Sequence, residues 1–179
     1  MGWSGQFSAQ VTEPDVVPVR VTAVHRARIQ ALGAMGAVDL IPASTLSTST
    51  VAVGDWVVAR DGVALRVLDR HSLVARKAAG SNVARQVIAA NLDALFIVSS
   101  CNADFNAGRM ERFLVLAASA GVEPVVVLTK ADTAENPEPF VTQAQALKSG
   151  LAVVLMDAKR GDVRGQLAPW CGPGQTVAL

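Results

Sequence analysis

Thr129-Lys130-Ala131-Asp132 stands directly after the apolar run 124–128, PVVVL. A carboxylate at the carboxyl end of a strand can accept two hydrogen bonds from a guanine, one from its ring N–H and one from its exocyclic amine. Adenine presents an acceptor in place of that N–H and lacks the amine, so carboxylate and base repel. A two-point contact of this kind discriminates by about 1–3 kcal/mol, and by more where the carboxylate would otherwise be buried unpaired. The lysine stem can lie along the base plane while its ammonium reaches backbone carbonyls. The plain alternative is a solvated turn that contains Lys and Asp. Composition alone produces the pattern in about 5% of chains this long, and the buried strand required before it makes coincidence rarer still.

A second loop, Asp157-Ala158-Lys159-Arg160-Gly161-Asp162, follows the apolar run 151–156. Here the Ala158 N–H could donate to the guanine carbonyl oxygen. An ordinary strand-to-helix turn with Asp162 as N-cap explains the same residues equally well. Other chemistry is sparse. Cys101 and Cys171 are far apart without a CxxC, and with His25 and His71 they build neither a disulfide framework nor a zinc site. No catalytic set and no metal ligands are expected in this chain.

The elements that must position these loops alternate between strand and helix. Residues 92–99 form a nearly continuous apolar run, as in a strand buried on both faces. Asp104 or Asn106 can cap a following helix whose inner face is Met110, Phe113, Leu114, Ala117 and Ala118, with Gly121 as its stop. After the strand at 124–128, Asn136-Pro137 opens a second helix lined by Phe140, Ala144 and Leu147 and ended by Gly150. Residues 151–156 make a third strand, 163–170 a short helix, and 175–179 a fourth strand after a Gly172-Pro173-Gly174 break. Consecutive βαβ units imply a parallel sheet with right-handed crossovers, whose ligands sit beyond the carboxyl ends of the strands.

The earlier part reads as β. Val17, Val19, Val21 and Ala23 alternate with Pro18, Arg20, Thr22 and Val24, the period of a half-buried strand. Further strands are expected at 28–32, 37–41, 55–60 and 63–69, and Asp61-Gly62 between the last two is a hairpin signal. Five short strands without a helix suit a small closed barrel such as an OB-fold; a β-sandwich fragment fits the pattern as well. The expected division is a tail at 1–15, the barrel at 16–78, a linker at 79–90 that includes Gly80-Ser81-Asn82, and the α/β part at 91–179.

Charge is uneven. Residues 16–90 carry nine Lys and Arg against four Asp, and residues 91–179 carry seven against nine acids. The excess points to a polyanion, with Arg26, Arg28, Arg76, Lys77 and Arg85 as phosphate contacts. Trp56 is the only aromatic residue at 16–78, and Tyr is absent. Shape and backbone recognition of structured RNA is therefore expected, not base stacking on single strands. Hydrophobic residues reach 51% and charged residues 17%, which excludes a disordered tail. No apolar run nears a membrane span, the first residues lack a secretory pattern, and Gln6 spoils a myristoylation match. A cytoplasmic, monomeric protein without membrane contact is expected.

Several stretches taken together are similar to the ribosome-small-subunit-dependent GTPase A family, a group of circularly permuted GTPases. They are Val53-Gly54-Asp55-Trp56-Val57; Arg70 and Arg76; Gln86-Val87-Ile88-Ala89-Ala90-Asn91-Leu92-Asp93; Asn106, Arg109 and Arg112-Phe113-Leu114; and Val127-Leu128-Thr129-Lys130-Ala131-Asp132. The likeness runs over about 16–179 and is most distinctive over 86–132. It implies an OB-fold that contacts ribosomal RNA, then a P-loop GTPase-like domain whose guanine loop precedes its phosphate loop. The implied role is GTP binding and hydrolysis during maturation of the small ribosomal subunit.

The family's guanine motif maps onto Thr129, Lys130 and Asp132, around Ala131, and its second base loop onto Asp157, Ala158 and Lys159. Thr129 stands where many GTPases have Asn, whose amide ties this loop to the phosphate loop; a shorter hydroxyl makes that tie weaker or routes it differently. GTP and Mg2+ are the implied ligands, with Zn2+ in a C-terminal module. GxxxxGK[ST], the switch segments and the zinc module do not occur in these 179 residues. An N-terminal fragment, inactive alone, is the resulting expectation. The rival expectation is a non-enzymatic RNA-binding OB module joined to an unrelated α/β domain.

Overall fold

A computed structural model describes residues 1–77 and 85–179, with the side chains of Lys77 and Arg85 and the Gly80-Ser81-Asn82 break outside the described residues. The chain divides into two units, Met1–Leu92 and Asp93–Leu179.

In the first unit, β1 (Val17–His25), β2 (Arg28–Gly33), β3 (Gly36–Pro42), β4 (Trp56–Arg60) and β5 (Val63–Val67) close a barrel in the order β1-β2-β3-β5-β4. All pairings are antiparallel except β3 with β5. Closure settles the choice in favour of the OB-like barrel, because a sandwich would leave open edges. The β4–β5 turn has positive φ at both Asp61 (50°) and Gly62 (78°), the two-residue turn whose twist matches antiparallel strands. Alternate residues of β1, β2 and β4 point inward, so Val19, Val21, Ile29, Ala31, Leu40, Val57 and Ala59 form one apolar core.

Trp56 and Val58 lie on the outer face of β4, yet both are buried. The cause is residues 1–15, which are packed rather than a free tail. The short helix α1 (Gly5–Ser8) buries Phe7 against Trp56, Val58 and Leu68. Trp3 meets Trp56 edge-on at 4.7 Å. Polar contacts fix the strap's far end: Arg66 grips Glu13 through two bonds of 2.7 and 3.0 Å and also donates to the Gln10 carbonyl. The strap exists because β4 is apolar on both faces, and an exposed Trp–Val pair costs free energy that two aromatic residues recover by covering it.

The segment expected as a linker holds a strand. β6 (Leu73–Lys77) pairs antiparallel with β7 (Arg85–Ala90), and Ala90 N–H donates to Val53 O beside the barrel. Two of the resemblance's stretches find their physical reason here. The Asp55 carboxylate, fully buried, takes Arg70 Nε at 2.6 Å and Nη2 at 2.7 Å, together with Ala52 N–H at 2.7 Å. That partnership raises the Arg70 pKa. Gly54 has φ +90° and faces Ala90 O so closely that a Cβ would lie 2.2 Å from it. Its carbonyl accepts from Asn91 Nδ2 at 3.0 Å, and Asn91 Oδ1 accepts from His71 N–H.

The second unit is a parallel sheet in the order β10-β9-β8-β11, built from β8 (Ala94–Ser100), β9 (Glu123–Thr129), β10 (Ala152–Leu155) and β11 (Val177–Ala178). The helix α2 (Ala107–Ala120) follows β8, α3 (Glu138–Ala146) follows β9, and α4 (Val163–Leu167) follows β10. Asn106, not Asp104, caps α2, accepting Arg109 N–H at 2.8 Å. Gly121 ends α2 in the left-handed region. The buried stripe of α2 is narrower than the sequence implies: Met110, Leu114 and Ala117 are buried, while Phe113 and Ala118 are exposed. Among the described residues no helix is long and apolar enough to cross a membrane.

Candidate functional site

β9 and β10 run parallel in register, Val125 opposite Ala152 through Leu128 opposite Leu155. Their carboxyl ends are therefore level, and the loops that leave them must be neighbours. Met156 N–H donates to Leu128 O, and Ala131 N–H donates back to Met156 O at 3.3 Å. The two loops enclose a hollow of about 280 Å³ lined by Thr129, Lys130, Asp132, Thr133, Asp157, Ala158 and Lys159. Six of these seven are residues that the sequence singled out in two separate loops. Ala131 sits between them as the first residue of a 3₁₀ turn, Ala131–Thr133.

The first loop turns sharply at its start. Lys130 is in the left-handed region at φ 59°, a conformation uncommon for a residue with a Cβ. Thr133 stabilises the reversal, donating its N–H at 3.2 Å and its hydroxyl at 3.0 Å to Lys130 O. Asp132 is thereby placed on the hollow's wall, and no described residue hydrogen-bonds or ion-pairs with its carboxylate. An exposed carboxylate with all its acceptor capacity free can meet two parallel N–H donors. Lys130 Nζ lies 3.9 Å from Asp104 Oδ2, with both side chains largely exposed.

Thr129 answers how a hydroxyl replaces an amide at this position. Its Oγ1 donates to Ser99 O at 3.0 Å, and Cys101 N–H donates to Thr129 O at 2.9 Å. The tie thus runs to the end of the neighbouring strand β8. Cys101 is buried, and burial pushes its thiol pKa up. Thr133 and Asp104 are the contributors that motif reasoning passed over. Only their nearness in sequence to Lys130 and to the helix cap hinted at them.

The family model of the RsgA GTPase matches residues 67–179, which include both loops. The chain belongs to the RsgA GTPase family. The small ribosomal subunit biogenesis GTPase RsgA of Mesorhizobium japonicum is 46% identical over 183 residues, covering 100% of this chain and 53% of that protein. The small ribosomal subunit biogenesis GTPase RsgA 2 of Vibrio parahaemolyticus is 42% identical, covering 100% of this chain and 51% of that protein. The chain thus spans about half the length of these curated RsgA relatives.

The fold is shared with crystal structures of YjeQ from Thermotoga maritima and of YloQ, a circularly permuted GTPase. The TM-scores are 0.61 and 0.60 at 22% and 20% identity. The matches cover 80% and 89% of this chain and 52% and 56% of those chains.

Of the basic residues on the barrel side, Arg26 is exposed in the β1–β2 turn. Arg28, at the start of β2, lies 3.8 Å from Asp39, both largely exposed, a pair too solvated to hold either side chain tightly. Arg76 is on the β6–β7 hairpin and donates to Gln86 Oε1. Among the described residues no three His, Cys, Asp or Glu side chains cluster as a metal site requires. Zn2+ therefore lacks its usual ligand set among the described residues, whereas the Mg2+ that a GTPase family implies would be held chiefly by the nucleotide's phosphates with one or two protein oxygens.

Proposed function

We propose that the protein binds and hydrolyses GTP and acts in maturation of the small ribosomal subunit. The observation that carries this reading is the convergence of the two loops on one hollow, with the unpartnered Asp132 carboxylate on its wall. Asp132 accepts from the guanine ring N–H and amine, and the Lys130 stem lies along the base. The Ala158 N–H meets the base's carbonyl oxygen. Thr129 contributes indirectly, by fastening the loop to β8. The barrel supplies contact with ribosomal RNA through Arg26, Arg28, Arg76, Lys77 and Arg85, positioned on phosphates and not on base edges. Support for the ribosomal role comes from the names of the relatives, which are biogenesis GTPases of the small subunit. The protein acts in the cytoplasm, as a monomer.

The test is competition for a fluorescent guanine nucleotide bound to the gene's full product. GDP should displace it at least about tenfold more effectively than ADP, the minimum for one good bidentate base contact. Equal displacement by ADP overturns the assignment.

A further inference from the structure

The loop after β10 distributes its backbone donors unevenly. Lys159 N–H donates to Asp157 Oδ1 at 2.8 Å and Arg160 N–H to the same oxygen at 3.1 Å. Gly161 N–H donates to Asp157 O at 2.9 Å. Three consecutive donors are thus gathered onto Asp157, while Ala158 N–H has no partner among the described residues. Gly161 is as closely fitted, since a Cβ there would lie 2.7 Å from Asp157 O. The turn is wound around one side chain, and the N–H left over belongs to a residue lining the hollow.

We propose that Asp157 is a positioning residue: its side-chain oxygen, by holding Lys159 and Arg160, fixes the Ala158 N–H toward the oxygen at the six-position of a bound guanine. The inference rests on the guanine assignment of the hollow and adds a division of labour to it. Asp132 reads the two donors of the base, and Asp157 acts through Ala158 on the acceptor beside them. Only the side-chain oxygen is needed for this role. Asn, which offers a carbonyl oxygen in the same place, can replace Asp, and Ala cannot. With Ala at 157 the donors at 159 and 160 turn to water, the loop samples other conformations, and the Ala158 N–H loses its aim.

The experiment compares GDP with 6-thio-GDP on the gene's full product. The sulfur analogue keeps the ring N–H and amine that Asp132 would read, but it offers a poorer acceptor at the six-position. The unaltered protein should prefer GDP over 6-thio-GDP by about three- to tenfold, the worth of one ordinary hydrogen bond. Asp157→Ala should abolish that preference, and Asp157→Asn should retain it. If Asp157→Ala weakens both nucleotides equally and leaves their ratio unchanged, Asp157 serves general loop stability alone and the proposal falls. The same result in Asp157→Ala and Asp157→Asn overturns it too. Asp132→Asn, run alongside, keeps the two levels apart. A shift of that variant toward XDP with no effect of position 157 on the thio ratio removes this inference and leaves the guanine assignment standing. No shift toward XDP removes both.

Discussion

Asp55→Ala should be among the most damaging single changes in the barrel unit. The Asp55 carboxylate is wholly buried and satisfies three donors, two on Arg70 and one on Ala52. Removing it leaves the Arg70 guanidinium, 20% exposed, with the Thr50 carbonyl as its remaining protein partner. Breaking one side of a buried pair costs about 3–5 kcal/mol. The partial exposure of Arg70 moves the value toward the lower end, and the orphaned Ala52 N–H adds about 1 kcal/mol unless water reaches it. The sum is about 4 kcal/mol, a large part of a typical stability of about 5–15 kcal/mol. With a urea slope near 2 kcal/mol/M, the midpoint falls by about 2 M. Trp170 belongs to the second unit, so a Trp170→Phe background leaves Trp3 and Trp56 fluorescence to report the barrel unit alone. Replacing both partners, Asp55→Leu with Arg70→Leu, should be milder than Asp55→Ala, since no charge is left unpaired. A midpoint shift of Asp55→Ala below about 0.3 M, or a double variant worse than the single, would refute the reasoning.

Other outcomes follow from the same geometry. The Arg66 guanidinium, hydrogen-bonded to Glu13, lowers that carboxyl from 4.5 to about 2. The pair's contribution is therefore complete above about pH 4.5 and lost as pH falls through about 2. Urea midpoints of the unaltered chain should drop across that window, and those of Glu13→Gln should drop less; parallel curves would contradict the pairing. Gly54→Ala should cost at least about 2 kcal/mol, from positive φ and from the Cβ placed against Ala90 O, and an unchanged midpoint would show that the close approach is absent. Arg28→Glu should weaken binding to small-subunit RNA and reduce the salt slope by about one. An unchanged slope places Arg28 outside the interface.

The second unit was readable from sequence because its signals are local and redundant. Apolar runs marked β8 and β9, Gly121 marked the end of α2, and the loop motif followed a strand whose carboxyl end must carry it. Registry between β9 and β10 is a tertiary fact, so sequence could name the Asp157 loop only as one of two readings. The strap at 1–15 leaves no such signal, because Trp3 and Phe7 lie among polar residues without a period. They cover the outer face of β4, Phe7 buried against it and Trp3 edge-on to Trp56, and that strand's unbroken apolar run reads as two-sided only once a cover is known. Likewise β7 was hidden by the Gly80-Ser81-Asn82 break, which reads as a linker, although its partner β6 lies only a few residues earlier. Apolar spacing overstates the inner face of α2, because Phe113 is apolar but leans to solvent. Thr129 stands out in the sequence, yet its route to Ser99 O depends on the neighbouring strand, which only the fold supplies.

The most direct measurement of the central claim is the nucleotide preference of Asp132→Asn in the gene's full product. Asn turns one acceptor of the carboxylate into a donor, which suits the additional carbonyl of xanthine where guanine has its amine. GDP binding should fall by at least about tenfold and XDP binding rise by a comparable factor, while the protein's urea midpoint stays unchanged. Retained GDP preference in a folded Asp132→Asn protein would contradict the account.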